Sequence, residues 1–237
     1  DESRGQVTGE IDSIKVENCL LNYKDLRNGQ DVSLQLNALE LKDLALGKDM
    51  GLLVDAVMND KASASTFAAR LDGKLRFDPE KNHVTLDFPK LGFTLKSQLI
   101  SEPQTVEGSI KADASLASLT GNLSLALKNR NLDLSVKARS EGFKPGQAGG
   151  LPSMNGEVSL KSNPAGLLAL LGTDLGLTDP KAMNELNLEL PFSIGAARPY
   201  ELAIDSIRGN LDSTSIQGAL TASLPGSGGL PAGINYK

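Results

Sequence analysis

The chain has 237 residues and a formal net charge of -5, with 24 basic and 29 acidic side chains scattered along it. The absence of a Lys and Arg block argues against nucleic-acid binding and against static adhesion to anionic lipid headgroups. Its hydrophobic fraction of 40% is mostly aliphatic, and no run approaches the roughly 20 apolar residues of a membrane-spanning helix.

Apolar and polar residues alternate along most of the chain, which is typical of strands with one apolar face. Turn-forming residues separate these rows, so neighbouring rows are predicted to form antiparallel hairpins. Residues 52–58 fit a strand or a helix, and we predict a strand. The clearest rows are Leu71, Gly73, Leu75 and Phe77; Val84, Leu86 and Phe88; Ile110, Ala112, Ala114 and Leu116; Leu123, Leu125 and Leu127; Leu132, Leu134, Val136 and Ala138; Leu186, Leu188 and Leu190; and Ile216, Gly218, Leu220, Ala222 and Leu224.

One helix is predicted over 164–171, because Asn163 is a good N-cap, Pro164 suits the first helical position and Gly172 suits the C-terminal cap. A shorter turn is predicted near Pro180. The predicted fold is mainly β with minor α. It is an elongated, curved antiparallel sheet, groove-like or sandwich-like, with one or two short helices near 164–185.

Two segments rich in Gly and Pro divide the chain. Residues 141–153 are predicted to be a flexible loop between an antiparallel β region at 1–140 and a second β region with the short helices at 154–224. Both regions are expected to pack on the same sheet, and residues 225–237 to form a flexible tail. The start at Asp1, without an initiator Met or a signal sequence, indicates a processed or excised fragment.

A five-residue pattern, aliphatic-x-Gly-x-aliphatic, occurs seven times in the sequence. Its glycine always falls in phase with the apolar residues, so it belongs to the apolar face of a strand. One interpretation is curvature, because an inward glycine lets a sheet bend. The other is a concave aliphatic trough left partly unfilled for an acyl chain. The pattern occurs at Val7–Ile11, Leu71–Leu75, Val106–Ile110, Leu119–Leu123, Met154–Val158, Ile207–Leu211 and Ile216–Leu220.

Two segments carry a family resemblance. Near the start, a row ending in Leu-x-Tyr23-x-Asp25 precedes Gly29 and an alternating row from Val32. Near the end, Leu211-Asp212-Ser-Thr214-Ser-Ile-Gln-Gly218 follows several alternating rows. Together with the row from Leu71, these segments resemble the AsmA family in consistent order. Ser213 departs from the family's pattern, which has a second Asp there.

The resemblance implies a segment on the periplasmic side of the inner membrane of a Gram-negative bacterium. It implies a role in outer-membrane biogenesis and phospholipid transport, through a membrane anchor that lies outside this chain. It implies relatedness to bridge-like lipid transfer proteins. In the residues themselves, Tyr23 is expected to pack across strands, Asp25 and Gly29 to serve a turn, and Asp212 and Thr214 to cap another.

The residues do not predict an enzyme. His83 is the only histidine, so no catalytic triad or histidine-rich metal site is expected, and it is predicted to lie at the surface. No cofactor is expected. Cys19 cannot form an intrachain disulfide and is predicted to be a small core residue.

Two functions are therefore expected from this sequence. The first is lipid handling, with acyl chains lying in an apolar β-groove. Its predicted lining is Leu123, Leu125, Leu132, Leu134 and Leu220. The second is a non-enzymatic scaffolding or interaction module that influences outer-membrane protein assembly through envelope-assembly partners, with a filled sheet core.

Overall fold

The computed structural model describes residues 10–25, 27, 29–142, 152–170, 179, 182–195, 200–224 and 233–236. Within these residues the chain forms one antiparallel sheet of 13 strands and one short helix, α1, at Pro164–Leu170. The strands are β1 Ile11–Asp25, β2 Gln30–Leu44, β3 Met50–Asp60, β4 Ser65–Asp78, β5 His83–Lys96, β6 Gln104–Ser115, β7 Thr120–Lys128, β8 Leu132–Gly142, β9 Ser153–Ser162, β10 Leu186–Ile194, β11 Tyr200–Leu211, β12 Thr214–Leu224 and β13 Gly233–Tyr236.

The strand order in space is the order along the chain, so each strand from β2 to β12 pairs with its predecessor and its successor. The short turns between alternating rows dictate this arrangement, because they return the chain directly beside the strand it has just left. Within the described residues, β1 and β13 stand at the two ends of this order and each pairs with one strand. The predicted fold class, a curved antiparallel sheet with minor α, is confirmed, and residues 52–58 lie in β3.

The register places the alternating apolar residues of β1 to β12 on one side of the sheet, the apolar face. For example, Leu123 lies opposite Ala138, Ala138 opposite Gly156, and Gly156 opposite Phe192. The side chains between these rows form the polar face. In β3 to β9 the apolar face consists of Met50, Leu52, Val54, Ala56, Met58, Phe67, Ala69, Leu71, Gly73, Leu75, Phe77, Val84, Leu86, Phe88, Leu91, Phe93, Leu95, Val106, Gly108, Ile110, Ala112, Ala114, Gly121, Leu123, Leu125, Leu127, Leu132, Leu134, Val136, Ala138, Met154, Gly156, Val158 and Leu160.

Bulges interrupt the ladder within three strands, β2, β5 and β11, and a fourth register shift, between Ser140 and Gly142, lies at the end of β8. The register shifts between Leu36 and Ala38 in β2, between Phe88 and Leu91 in β5, and between Ile204 and Ile207 in β11. An inserted residue reverses the phase of the alternation. In these three strands the alternation of apolar and polar residues changes phase at the insertion. The inserted residue therefore keeps the apolar side chains on both sides of it on the same face of the sheet.

Most of the loop predicted at 141–153 lies outside the described residues; at its borders, β8 ends at Gly142 and β9 begins at Ser153. The two strands pair directly with each other, so the regions before and after this loop share one sheet. Of the tail predicted at 225–237, the structure describes only Gly233–Tyr236. Gly233–Tyr236 form β13 and pair with Leu220–Ser223 of β12, since an unpaired strand edge is available there.

Helix α1 lies beside the row of turns at one border of the sheet. Its N-cap is confirmed, because the Asn163 side-chain oxygen accepts a hydrogen bond from the Gly166 backbone N–H at 2.7 Å. Asn163 donates its own N–H to the carbonyl of Asn131 in the β7–β8 turn, at 2.9 Å. At the other end, the Leu170 carbonyl accepts the N–H of Ser101 in the β5–β6 loop at 3.0 Å.

These contacts fix the direction of α1. Seven helical residues span about 10 Å, and the two turns that α1 contacts are separated by two strand spacings, also about 10 Å. The helix therefore lies across the strand direction, along the border. Leu170 is 8% exposed and Leu171, like Gly172, is outside the described residues.

Candidate functional site: the apolar face of the sheet

The apolar face has no second layer of sheet packed against it among the described residues. The chain exposes 15817 Å² of surface, whereas a compact monomer of its 24.9 kDa mass would expose roughly 10,000 Å². Of the hydrophobic side chains in the described part of the chain, only Phe88, Leu91, Leu170 and Ala222 are buried. The remaining apolar-face side chains are mostly half-buried.

The five predicted groove residues all belong to the apolar face, but they are spread along it. Leu123 and Leu125 of β7 and Leu132 and Leu134 of β8 are half-buried on adjacent strands, and Leu123 and Leu132 are about 20 Å apart along the strand direction. Leu220 sits on β12, four strands beyond β8, at a distance of about 19 Å across the sheet. The predicted lining therefore spans an extended surface.

The in-phase glycines mark close approaches between strands. A Cβ built on Gly108 would lie 2.2 Å from the Ala126 carbonyl oxygen, and one on Gly156 would lie 2.2 Å from that of Lys137. The same geometry recurs at Gly73, Gly121 and Gly209, where the distances are 2.4, 2.5 and 1.9 Å.

In four of these cases the carbonyl belongs to the residue just before the glycine's direct cross-strand partner. Because the missing Cβ would point to the apolar side, the neighbouring strand must fold toward that side. The Phe192 ring also lies 2.7 Å from the Cβ position of Gly156. The geometry at these five glycines favours the curvature interpretation over vacant space at the glycines themselves.

The first strand is the most exposed part of the apolar face. Every residue of β1 except Asp25 is exposed, and Ile14, Val16, Leu21 and Tyr23 are 41%, 38%, 62% and 54% exposed. Cys19 was expected in the core, but it is exposed. The apolar neighbours of Cys19 in sequence do place it on the apolar face. The position of β1 at the border of the described sheet then leaves that face uncovered.

The first family motif forms the β1–β2 hairpin. Tyr23 lies opposite Val32 across the two strands. The Asp25 carboxylate accepts the backbone N–H of Arg27 at 2.8 Å, and Gly29 has a φ of 67°, a left-handed conformation that suits glycine. All three residues have a geometric role in the turn and its flanking strands.

The second motif contains a longer-range contact. The Asp212 carboxylate accepts three backbone N–H groups, from Met183 at 2.6 Å, Asn184 at 3.1 Å and Glu185 at 3.0 Å. Asp212 also donates its N–H to the Glu185 carbonyl at 2.7 Å. It therefore joins the β11–β12 turn to the segment that enters β10, a connection that local turn chemistry did not predict.

The other motif residues occupy ordinary strand positions. Leu211 ends β11 opposite Thr214, the first residue of β12, and Gly218 lies opposite Ile207. Thr214 is exposed, and its position brackets the turn that carries Asp212.

The polar face carries a separate cavity that sequence reasoning did not find. It has a volume of about 910 Å³ and lies between two rows of side chains that cross β6 to β10. Its walls hold three cationic side chains and three carboxylates, so their formal charges cancel. The charged lining consists of Lys111, Lys137, Arg139, Asp113, Glu157 and Asp205.

Ion pairs lie at the surface throughout the described residues. The hydrogen bond from Lys48 to Glu10 lowers the pKa of the Glu10 carboxyl and raises that of the Lys48 amine. A hydrogen bond to Glu17 similarly raises the pKa of Lys15. Such exposed pairs are worth little free energy, because water and salt screen them. They keep the polar face solvated.

His83 lies at the start of β5, and its Nε2 is 3.1 Å from an Asp113 carboxylate oxygen. In the described part of the chain, no three His, Cys, Asp or Glu side chains come close enough to hold a metal ion. The helix of the described residues is also too short to cross a membrane.

The arrangement defines a class of protein: an open antiparallel meander in which nearly every strand contributes to one continuous apolar face. Searches of family models, curated proteins and solved structures returned no match to this chain.

Proposed function

We propose that the chain handles lipid, with acyl chains lying on the apolar face of the open sheet. The observation that supports this proposal is an aliphatic surface that crosses the whole sheet and is only half-buried. Exposed apolar patches larger than a few hundred Å² are rare on monomeric proteins and usually mark a binding surface.

The energetics favour such a surface. Each CH₂ removed from water contributes about 0.8 kcal/mol, so exposing a 16-carbon chain costs on the order of 12 kcal/mol. An acyl chain lying across the strands at about 4.8 Å per strand would need only a few of them to shelter its length. The row from Leu123 to Phe192 is one such path.

The resemblance to the AsmA family extends the proposal. The chain would be a periplasmic segment of a protein anchored in the inner membrane of a Gram-negative bacterium, serving phospholipid transport and outer-membrane biogenesis. The aliphatic lining suits acyl chains of varied structure, because apolar burial is not directional. The proposal assigns no catalytic residue and no cofactor.

The test compares two matched charge substitutions in β7. Leu125→Glu places a carboxylate on the apolar face, whereas Ser124→Glu places it one residue away on the polar face. Purified protein would be analysed by mass spectrometry for bound phospholipid and titrated with a fluorescent fatty acid. We expect lipid in the unmodified chain and in Ser124→Glu, and at least tenfold weaker binding in Leu125→Glu.

Circular dichroism of both variants checks that the sheet has formed. Lipid absent from the unmodified chain and no saturable binding of the fatty acid would contradict the proposal. Equal binding by two folded variants would place the lipid elsewhere.

A second function, a scaffolding module for outer-membrane protein assembly, is favoured by one observation. The exposed edge of β1 offers a backbone surface to another strand. This alternative predicts that an envelope-assembly partner still binds Leu125→Glu but is lost when β1 is altered. A pull-down that compares Leu125→Glu with a chain altered in β1 distinguishes the two proposals.

A further inference from the structure

Three large apolar side chains are exposed on interior strands of the sheet. Met58 of β3, Phe67 of β4 and Leu95 of β5 are direct cross-strand neighbours on the apolar face, and they are 41%, 37% and 43% exposed. Each of these strands pairs with a strand on both sides, so the exposure does not come from an end of the strand order. The three side chains, which we call the exposed row, lie at the border of the sheet where α1 lies, the α1 border.

The face becomes polar one step beyond the exposed row. Asp60 and Ser65, the next residues on the same face of β3 and β4, lie opposite each other. Ser97 follows β5, and its hydroxyl accepts a hydrogen bond from the Ser65 hydroxyl at 3.0 Å. Asp60 is ionised at neutral pH, because a hydrogen bond from the Ser63 hydroxyl lowers the pKa of its carboxyl. The polar rim of Asp60, Ser65 and Ser97 therefore offers a carboxylate and hydroxyl groups directly beside apolar side chains.

The opposite border of the same three strands is different. There β3, β4 and β5 present Met50, Phe77 and Val84 to the apolar face, and all three side chains are half-buried. Along the α1 border, the part of the sheet beyond β5 also differs, because α1 runs there between the β7–β8 turn and the β5–β6 loop. An exposed apolar row beside a polar rim thus distinguishes one end of β3 to β5 from the other.

Behind the exposed row, the apolar face has a low floor. Ala56 and Ala69 lie opposite each other in the next row of β3 and β4, and each carries only a methyl group. Larger side chains, those of Leu36 in β2 and Phe93 in β5, flank the pair. Phe93 also stacks with Phe67, with ring centroids 6.0 Å apart. The two alanines therefore leave a path from the exposed row toward the middle of the sheet.

An amphiphile matches this order of surfaces, because its headgroup needs polar partners and its hydrocarbon chain needs apolar ones. Burial stabilises a complex only where apolar area is still exposed to water. The exposed row therefore gains more from a covering acyl chain than half-buried side chains do. A purely apolar partner would instead have to bury the ionised Asp60 carboxylate beside the row, which is costly.

We propose that phospholipid is bound here in one orientation, with its headgroup at the polar rim and its acyl chain entering the apolar face past Met58, Phe67 and Leu95. The α1 border of β3 to β5 is then the entrance to the lipid surface. This inference rests on the proposed function, since it gives a position and an orientation to the lipid proposed there. The charge on Asp60 favours a headgroup that carries an ammonium group over a purely anionic one.

Tryptophan fluorescence tests the orientation, because the chain contains no Trp. Phe67→Trp places a single reporter in the exposed row, and Phe77→Trp places one on the same face at the other end of β4, about 33 Å away. The probe is lysophosphatidylethanolamine with a nitroxide quencher on its acyl chain, either close to the headgroup or at the methyl end. We expect the label close to the headgroup to quench Phe67→Trp at least twofold more than the methyl-end label, and to show no such excess in Phe77→Trp.

Charge substitutions in β5 test the entrance. Leu95→Glu places a carboxylate in the exposed row, and Thr94→Glu places one at the adjacent position on the polar face. Isothermal titration calorimetry with unlabelled lysophosphatidylethanolamine measures the dissociation constant of each variant. We expect it to rise by roughly threefold or more in Leu95→Glu, because the acyl chain would have to desolvate a charge, and by less than about twofold in Thr94→Glu. Circular dichroism checks the fold of all four variants.

A lipid that binds but quenches the two tryptophan variants without this difference, or that quenches Phe67→Trp more strongly through its methyl end, would overturn the orientation. Binding that Leu95→Glu leaves unchanged while Leu125→Glu abolishes it would overturn the entrance and leave the proposed function standing. If neither the unmodified chain nor any folded variant binds the lysophospholipid, the proposed function fails as well.

Discussion

Gly108→Ala should destabilise the sheet strongly, because its new methyl group has no space. The Cβ would lie 2.2 Å from the Ala126 carbonyl oxygen and 2.8 Å from a Leu127 methyl group. Carbon and oxygen atoms normally approach to about 3.3 Å, so β7 must move by about 1 Å relative to β6. Overpacking typically costs 1–3 kcal/mol. We expect a loss of about 3 kcal/mol, because the obstructing atom is backbone.

Gly92→Ala is the matched control, since Gly92 lies in β5, the strand that pairs with β6, and its Cβ would meet nothing closer than the Arg70 carbonyl oxygen at 3.9 Å. There the substitution should be neutral or stabilising by up to about 1 kcal/mol. Urea unfolding followed by circular dichroism measures both variants. Equal stability of the two would refute the conclusion that in-phase glycines permit the bends.

Three other outcomes are expected. Asp212→Ala removes the acceptor of three backbone N–H groups and should destabilise by about 2–3 kcal/mol in the same urea assay. Leu119→Gly should stabilise by about 0.5–1 kcal/mol, because Leu119 has a φ of 53° and glycine removes that strain. A hydrogen bond from the Lys81 backbone lowers the pKa of Asp78 below 3.8, so its stabilising contribution is present above that pH and disappears as pH falls through the lowered value. NMR titration of the Asp78 carboxyl in the folded chain should show that lowered midpoint.

Alternation predicted the strands well because side chains in a strand have a strict period of two. The rows from Leu71 through Leu134 lie in successive strands, and their apolar residues share the apolar face as expected. The helix was also predictable, since Asn163 and Pro164 act through local geometry. Such signals need no knowledge of the neighbouring strand.

Long-range features were not predictable in the same way. The sequence around Asp212 indicated a local turn, but its carboxylate contacts a segment 27 to 29 residues earlier. The sequence around Cys19 predicted a core residue, but Cys19 is exposed because β1 lies at the border of the described sheet. The short strand Gly233–Tyr236 lies within a segment rich in Gly and Pro, and only the available edge of β12 explains it.

Curvature and the proposed lipid binding depend on the same residues. A flat sheet would leave its aliphatic side chains fully exposed, whereas the bends at Gly73, Gly108 and Gly156 bring neighbouring strands together on the apolar side. The side chains then shield one another without a second layer, which explains why they are half-buried and not buried. Filling a glycine position would open the curve and expose more of that face. Gly108→Ala should therefore weaken fatty-acid binding as well as folding, although Gly108 supplies no side chain that could contact lipid.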